Sequence, residues 1–122
     1  MTRVTCHCGA VELSVKLAEP LTNARRCDCS FCRRRGVPAV TVKVGDLKVI
    51  KGAENLTRYT WGTGTAKHHF CKICGIYTHH QRRSNPNEYG VNMGGIDGIN
   101  PAEYEPIRWD DGVNHPSDAK DT

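Results

Sequence analysis

Seven cysteines in 122 residues, gathered into three tight groups, constrain this chain more than any other feature. They are Cys6 and Cys8 in "CHCG", Cys27, Cys29 and Cys32 in "CDCSFC", and Cys71 and Cys74 in "CKICG". An odd number does not suit a closed disulfide framework, and thiols one or two residues apart in a reducing compartment bind metal more often than each other. The amino terminus "MTRVTCHCGA" lacks the apolar run of a signal peptide, and no stretch reaches the length of a membrane span. The chain therefore reads as cytoplasmic, with no membrane partner. One domain is expected at this length, and an apolar content of 38% leaves room for a metal to add stability to a modest core.

A closely spaced pair of cysteines chelates one ion from a tight turn, with each sulfur about 2.3 Å from zinc. Both outer pairs end in Cys-Gly, and glycine lets the chain turn with positive φ while its amide approaches a sulfur. Joined, Cys6, Cys8, Cys71 and Cys74 make a closed four-thiolate site. Cys27, Cys29 and Cys32 are then left as three ligands with a vacant fourth position, which is what zinc chemistry requires. The same spacing also permits a ribbon of Cys29, Cys32, Cys71 and Cys74, with Cys6, Cys8 and Cys27 left over.

Period-two alternation dominates the rest of the chain. Val11, Leu13, Val15 and Leu17 fall on one face of "VELSVKL", and Val40, Val42 and Val44 on one face of "VTVKV". Further strands are expected over 47–50, 56–61, 66–70, 76–80, 89–93 and 106–109, with glycines between them. One helical turn is expected at Asn100-Pro101, an N-cap followed by an N1 proline. The fold class is all-β with minimal helix. Tyr59, Trp61, Phe70 and Met93 read as core, and "DDGVNHPSDAKDT" as a polar tail that is a surface strap or disordered.

The formal charge of +4 counts neutral thiols. Seven thiolates around two zinc ions would lower it to about +1, which weakens any case for nucleic acid from charge alone. Arg25, Arg26, Arg33, Arg34 and Arg35 bracket the cysteine triplet, either drawing in carboxylates or forming a solvated basic turn. In the pairs His68/His69 and His79/His80, strand alternation points one member of each inward, where it could protonate an alkoxide. Asp28 reads as a supporting or surface carboxylate.

The ordered pattern "CHCGAVEL", "CDCSFCRRRG", "HHFCKICGIY" and "GGIDGINP" resembles the glutathione-dependent formaldehyde-activating enzyme family, which includes centromere protein V, over roughly residues 3 to 109. The resemblance implies a β-tent fold of antiparallel sheets in a domain over 1–109, followed by a tail over 110–122. It implies two zinc ions: a structural one on Cys6, Cys8, Cys71 and Cys74, and an active-site one on Cys27, Cys29 and Cys32. The implied reaction is that of a carbon-sulfur lyase, adding the thiol of glutathione or a similar molecule to a small aldehyde such as formaldehyde. Three thiolates leave zinc a poor activator of water but leave a bound thiol nucleophilic. The reading from a different class is a zinc-stabilised module, both metals structural, whose arginine turn contacts nucleic acid or an acidic protein.

Overall fold

The computed structural model describes residues 1–113. Nine strands form one sheet: β1 (Thr2–Thr5), β2 (Glu12–Leu17), β3 (Arg25–Cys27), β4 (Ala39–Lys51), β5 (Leu56–Tyr59), β6 (Lys67–Cys71), β7 (Tyr77–Gln81), β8 (Glu88–Asn92) and β9 (Arg108–Asp110). The order is β1-β2-β4-β8-β7-β6-β5, and β3 joins β4 to β9 at the side. All pairings but the parallel β3–β9 pair are antiparallel. The domain is all-β, and its one α-helical element is a single turn, α1 (Cys32–Arg35). None of the described helices is long and apolar enough to cross a membrane.

The alternation expected in β2 is present: Leu13 and Val15 are buried beside Val11. They meet Val4 of β1, Val40 and Val42 of β4, and Val91 of β8 in one cluster with Met93, Ile96 and Ile107. The 3-10 turn at Pro101–Tyr104 begins as expected, with the Asn100 side chain accepting the Ala102 N–H. Most of the segment read as a tail, 114–122, lies outside the described residues. Its first residue, Asp110, closes β9.

Three expectations need correction. Residues 40–44 and 47–50 are one strand, because β4 runs through Gly45 without ending. Its amino half alone, Ala39–Lys43, pairs with β8, whereas β2 pairs with the carboxyl half and meets the amino half at Val42. Between the β2 partners Val15 and Leu17, two steps of β2 answer five of β4, so β4 buckles over 43–46. The buckle turns Val44 out of the core it was expected to share with Val40 and Val42, leaving it 39% exposed. Tyr59 is also exposed, since it closes β5 at the sheet's outer edge.

The two valines test this correction. Val42→Ala should cost about 2 kcal/mol, whereas Val44→Ala should stay within about 0.5 kcal/mol of the parent. Urea denaturation read by tryptophan fluorescence measures both.

Candidate metal centres

The β1–β2 turn and the β6–β7 turn are built alike. In the first, Cys6 N–H donates to Val11 O, Val11 N–H donates to Cys6 Sγ at 3.3 Å, and Gly9 sits at φ +81°. In the second, Cys71 N–H donates to Ile76 O, Ile73 N–H donates to Cys71 Sγ at 3.4 Å, and Gly75 sits at φ +78°. Each turn is a knuckle that aims two sulfurs at one point, and glycine supplies the left-handed step.

The knuckles meet. Sγ atoms of Cys6, Cys8, Cys71 and Cys74 lie within 4.8 Å of one another, with Cys6–Cys8 and Cys8–Cys71 at 3.7 Å. A zinc tetrahedron with bonds of about 2.3 Å has edges of about 3.8 Å, so the donor set has the size and chemistry for that ion. Without a cation the sulfurs compete for charge. Desolvation opposes a Cys74 thiolate, but the N–H groups of Cys8 and Ile76 and the Cys71 and Cys8 thiols outweigh it and hold Cys74 at about 6. The Ala10 N–H favours a Cys8 thiolate, yet desolvation and the three neighbouring sulfurs push Cys8 up to about 11.

Cys27, Cys29 and Cys32 form the second group, their sulfurs also within 4.8 Å of one another. Cys27 ends β3, Cys29 lies in the following turn, and Cys32 opens α1, whose N–H donates to Cys29 Sγ at 3.3 Å. Hydrogen bonds from the Cys27 and Cys32 thiols hold Cys29 far below the ordinary thiol range, while contacts with Cys27 and then Cys29, with burial added, push Cys32 far up. The sulfurs thus group as four and three, and the ribbon arrangement is not the one the fold adopts. Among the described residues no fourth Cys, His, Asp or Glu joins the triplet.

The carboxyl-terminal strand roofs this group. β9 pairs with β3 so that Asp110 lies beside Cys27, and Gly112 N–H donates to Asp28 Oδ1 at 2.7 Å. A Cβ at Gly112 would stand 2.2 Å from Cys27 Sγ, so only glycine fits there. Asp28 is therefore a strap anchor. The remaining walls enclose a chamber of about 170 Å³, with Trp61, His68, His80 and Arg82 facing the three cysteines.

The five arginines separate into distinct roles. Arg25 pairs with Asp110 at 3.0 Å, and Arg26 with Glu105, both tying down β9 or its approach. Arg33 and Arg34 are exposed. Arg35 turns inward: Nη2 donates to Cys32 Sγ at 3.6 Å, Nη1 to His68 Nδ1 at 3.2 Å, and the guanidinium lies over Tyr77 at 3.7 Å and Phe31 at 5.0 Å. It makes no ion pair with a carboxylate among the described residues. Its only sequence signal is the three-residue spacing from Cys32, which places both on one face only if the segment is helical.

His68 pairs with His80 and His69 with His79 across β6 and β7. His68 and His80 stack at 5.1 Å on the chamber side, while His69 and His79 stack at 4.5 Å on the other, where Tyr89 meets His79 edge-on. A bulge at Thr78 then places Tyr77 on the His80 face, and no sequence signal announced it. Because guanidinium only donates, Arg35 fixes His68 as the Nε2–H tautomer. Tyr77 Oη donates to Gly90 O at 3.0 Å, so its 2.6 Å contact with His80 Nδ1 makes that nitrogen the donor and leaves His80 Nε2 as an acceptor. Burial keeps both rings neutral, pushing His68 down to about 4 with Arg35 adding to the effect, and His80 well below its usual range.

Fold and site together define a class: an all-β domain carrying two cysteine clusters that could each hold a metal ion, one with four protein donors and one with three. Residues 1–109 match the family of the glutathione-dependent formaldehyde-activating enzyme, and the chain belongs to it. It is also similar to a Rhodobacter sphaeroides protein of known crystal structure, 60% identical, with 88% of this chain and 99% of that chain covered at a TM-score of 0.87.

Buried neutral histidines make stability depend on pH. His68 at about 4 and His79 at about 3, lowered first by burial, bind protons in the unfolded chain before the folded one. Their contribution is complete above about pH 6.5 and is lost as pH falls toward 4 and below. Urea midpoints at pH 7, 6 and 5 should fall in that order, and His79→Gln, away from the chamber, should shallow the slope.

Proposed function

We propose that this protein is a zinc-dependent carbon-sulfur lyase that reversibly adds a thiol, glutathione or a similar molecule, to a small aldehyde such as formaldehyde. Cys6, Cys8, Cys71 and Cys74 would hold a structural zinc, and Cys27, Cys29 and Cys32 would hold a second one beside the chamber. The observation that carries the reading is the triplet itself: three converging sulfurs, no fourth protein donor among the described residues, and a chamber on the open side. Family membership supports the reaction type. A reducing, cytoplasmic setting goes with it, as all seven thiols are free.

When bound, zinc would supply a cationic centre that ionises an incoming thiol, while its three thiolate ligands leave that sulfur nucleophilic. The chain's own groups do the rest. His80 Nε2 accepts the thiol proton, its ring held by Tyr77 on one side and by Gly90 beneath. His68 Nε2–H donates to the aldehyde oxygen and steadies the negative charge that develops as the carbon-sulfur bond forms. The proton from His80 then completes the hydroxyl group. Burial disfavours a charged His80, so the ring would carry the proton only in transit from sulfur to oxygen.

Of the arginines that a nucleic-acid module would need, Arg35 faces the cysteines and only Arg33 and Arg34 remain on the surface.

Native mass spectrometry of fresh protein should find two zinc ions per chain, the triplet's ion leaving first with a chelator. Cys71→Ala removes a ligand from a site whose binding is coupled to folding by about 10 kcal/mol or more, and should melt or aggregate. Cys29→Ala should stay folded with one zinc. In exchange spectroscopy of glutathione and formaldehyde at equilibrium, wild type should exceed the uncatalysed rate and Cys29→Ala should not. Equal rates for the two proteins across a panel of thiols would refute the lyase.

A further inference from the structure

Behind the cysteine chamber lies a larger space that formaldehyde does not use. It has a volume of about 530 Å³, and Phe31, Val37, Phe70, Ile76 and Tyr77 give it apolar walls. Arg35 and His68 form part of its lining, and His68 also borders the chamber. α1 carries Cys32 at its start and Arg35 at its end, and the Arg35–His68 hydrogen bond lies where the cleft and the chamber meet, with His68 in the lining of both. The polar groups at this boundary are donors: guanidinium has no acceptor, and Arg35 leaves His68 with Nε2–H. Such a boundary selects a ligand whose polar end accepts without donating and whose remainder is apolar.

We propose that the electrophile belonging to this site is an aldehyde with an apolar substituent, its chain in the cleft of Phe31, Val37, Phe70, Ile76 and Tyr77 and its carbonyl oxygen at His68. The inference rests on the lyase reading and names its substrate class. The reaction keeps its balance: the carbon-sulfur bond forms, the carbonyl π bond breaks, and the thiol proton ends on the oxygen. No oxidant or reductant takes part. A one-carbon aldehyde leaves the cleft empty, whereas each methylene that enters it leaves water, a gain of up to about fourfold in the rate constant.

Exchange rates of glutathione with formaldehyde, propanal and hexanal, each divided by its uncatalysed rate, test this. The quotient should rise along the series, with hexanal at least about tenfold above propanal. Ile76, at 38% exposure, tolerates a larger side chain without disturbing the core, so Ile76→Trp should fill the cleft and bring the hexanal-to-propanal ratio below about threefold, with the melting temperature reporting the fold. 2-Heptanone, a carbonyl probe that accepts without donating and adds thiols far less readily than an aldehyde, should receive saturation transfer from wild-type protein and slow the hexanal reaction. A flat or falling series beside accelerated formaldehyde exchange overturns the substrate class and leaves the lyase standing. No acceleration with any aldehyde overturns both. A rising series that neither Ile76→Trp nor 2-heptanone affects overturns the cleft as its cause.

Discussion

Sulfur atoms gathered within 4.8 Å cannot all ionise unless a cation sits among them, and this chain gathers them twice. The first gathering also shapes the sheet. Its two knuckles follow β1 and β6, which have four strands between them in the order β1-β2-β4-β8-β7-β6-β5. Two turns so placed meet only if the sheet curls, and β4 allows this by buckling where it changes partners. Curvature, core closure and the four-sulfur cluster are therefore one constraint. Cys6 and Cys71, buried among the core side chains, belong to both.

The triplet answers the charge problem differently. With a divalent ion, three thiolates carry one net negative charge, and a guanidinium in contact with Cys32 offsets it. Arg35 is suited to this because no carboxylate among the described residues competes for it. Tyr77 and Phe31 cover its faces, so its charge is directed along the plane toward Cys32 and His68. Arg25 and Arg26, engaged with Asp110 and Glu105, hold the roof instead. A run of like charges in the sequence is thus divided by ion pairing into anchors, solvated residues and one half-buried partner.

What could be read from the residues alone follows from the range of the forces involved. Local periodicity placed the strands through β2, β5, β6, β7, β8 and β9, and the short ligand spacings marked the cysteine groups but left the four-plus-three and ribbon pairings open until the fold brought the sulfurs together. Those patterns are set by neighbours in the chain. The buckle in β4, the bulge at Thr78, the parallel pairing of β9 and the close approach of Gly112 to Cys27 depend on partners far away in sequence, and no local pattern encodes them. The exposed Val44 shows the cost: alternation was right about the strand and wrong about the face once the strand bent. Arg35 was hidden for a related reason, since "FCRRRG" has no apolar helical repeat and its one turn exists because Cys29 receives the Cys32 N–H.

Register decides which histidines belong to the site. His68 and His69 are adjacent, as are His79 and His80, and all four are kept from ionising by burial, yet only one of each pair borders the chamber. A slip of one residue between β6 and β7 would exchange the members. The bulge at Thr78 adds a second condition, because without the extra residue Tyr77 would lie on the opposite face from His80 and could not orient it. Gly90 adds a third, as a Cβ there would stand 2.4 Å from the His80 ring. The donor and acceptor character of the two imidazoles is therefore fixed by backbone register in three strands, with Arg35 and Tyr77 choosing the tautomers. In the proposed reaction, proton transfer would depend on the alignment of β6, β7 and β8 as much as on the cysteines opposite them.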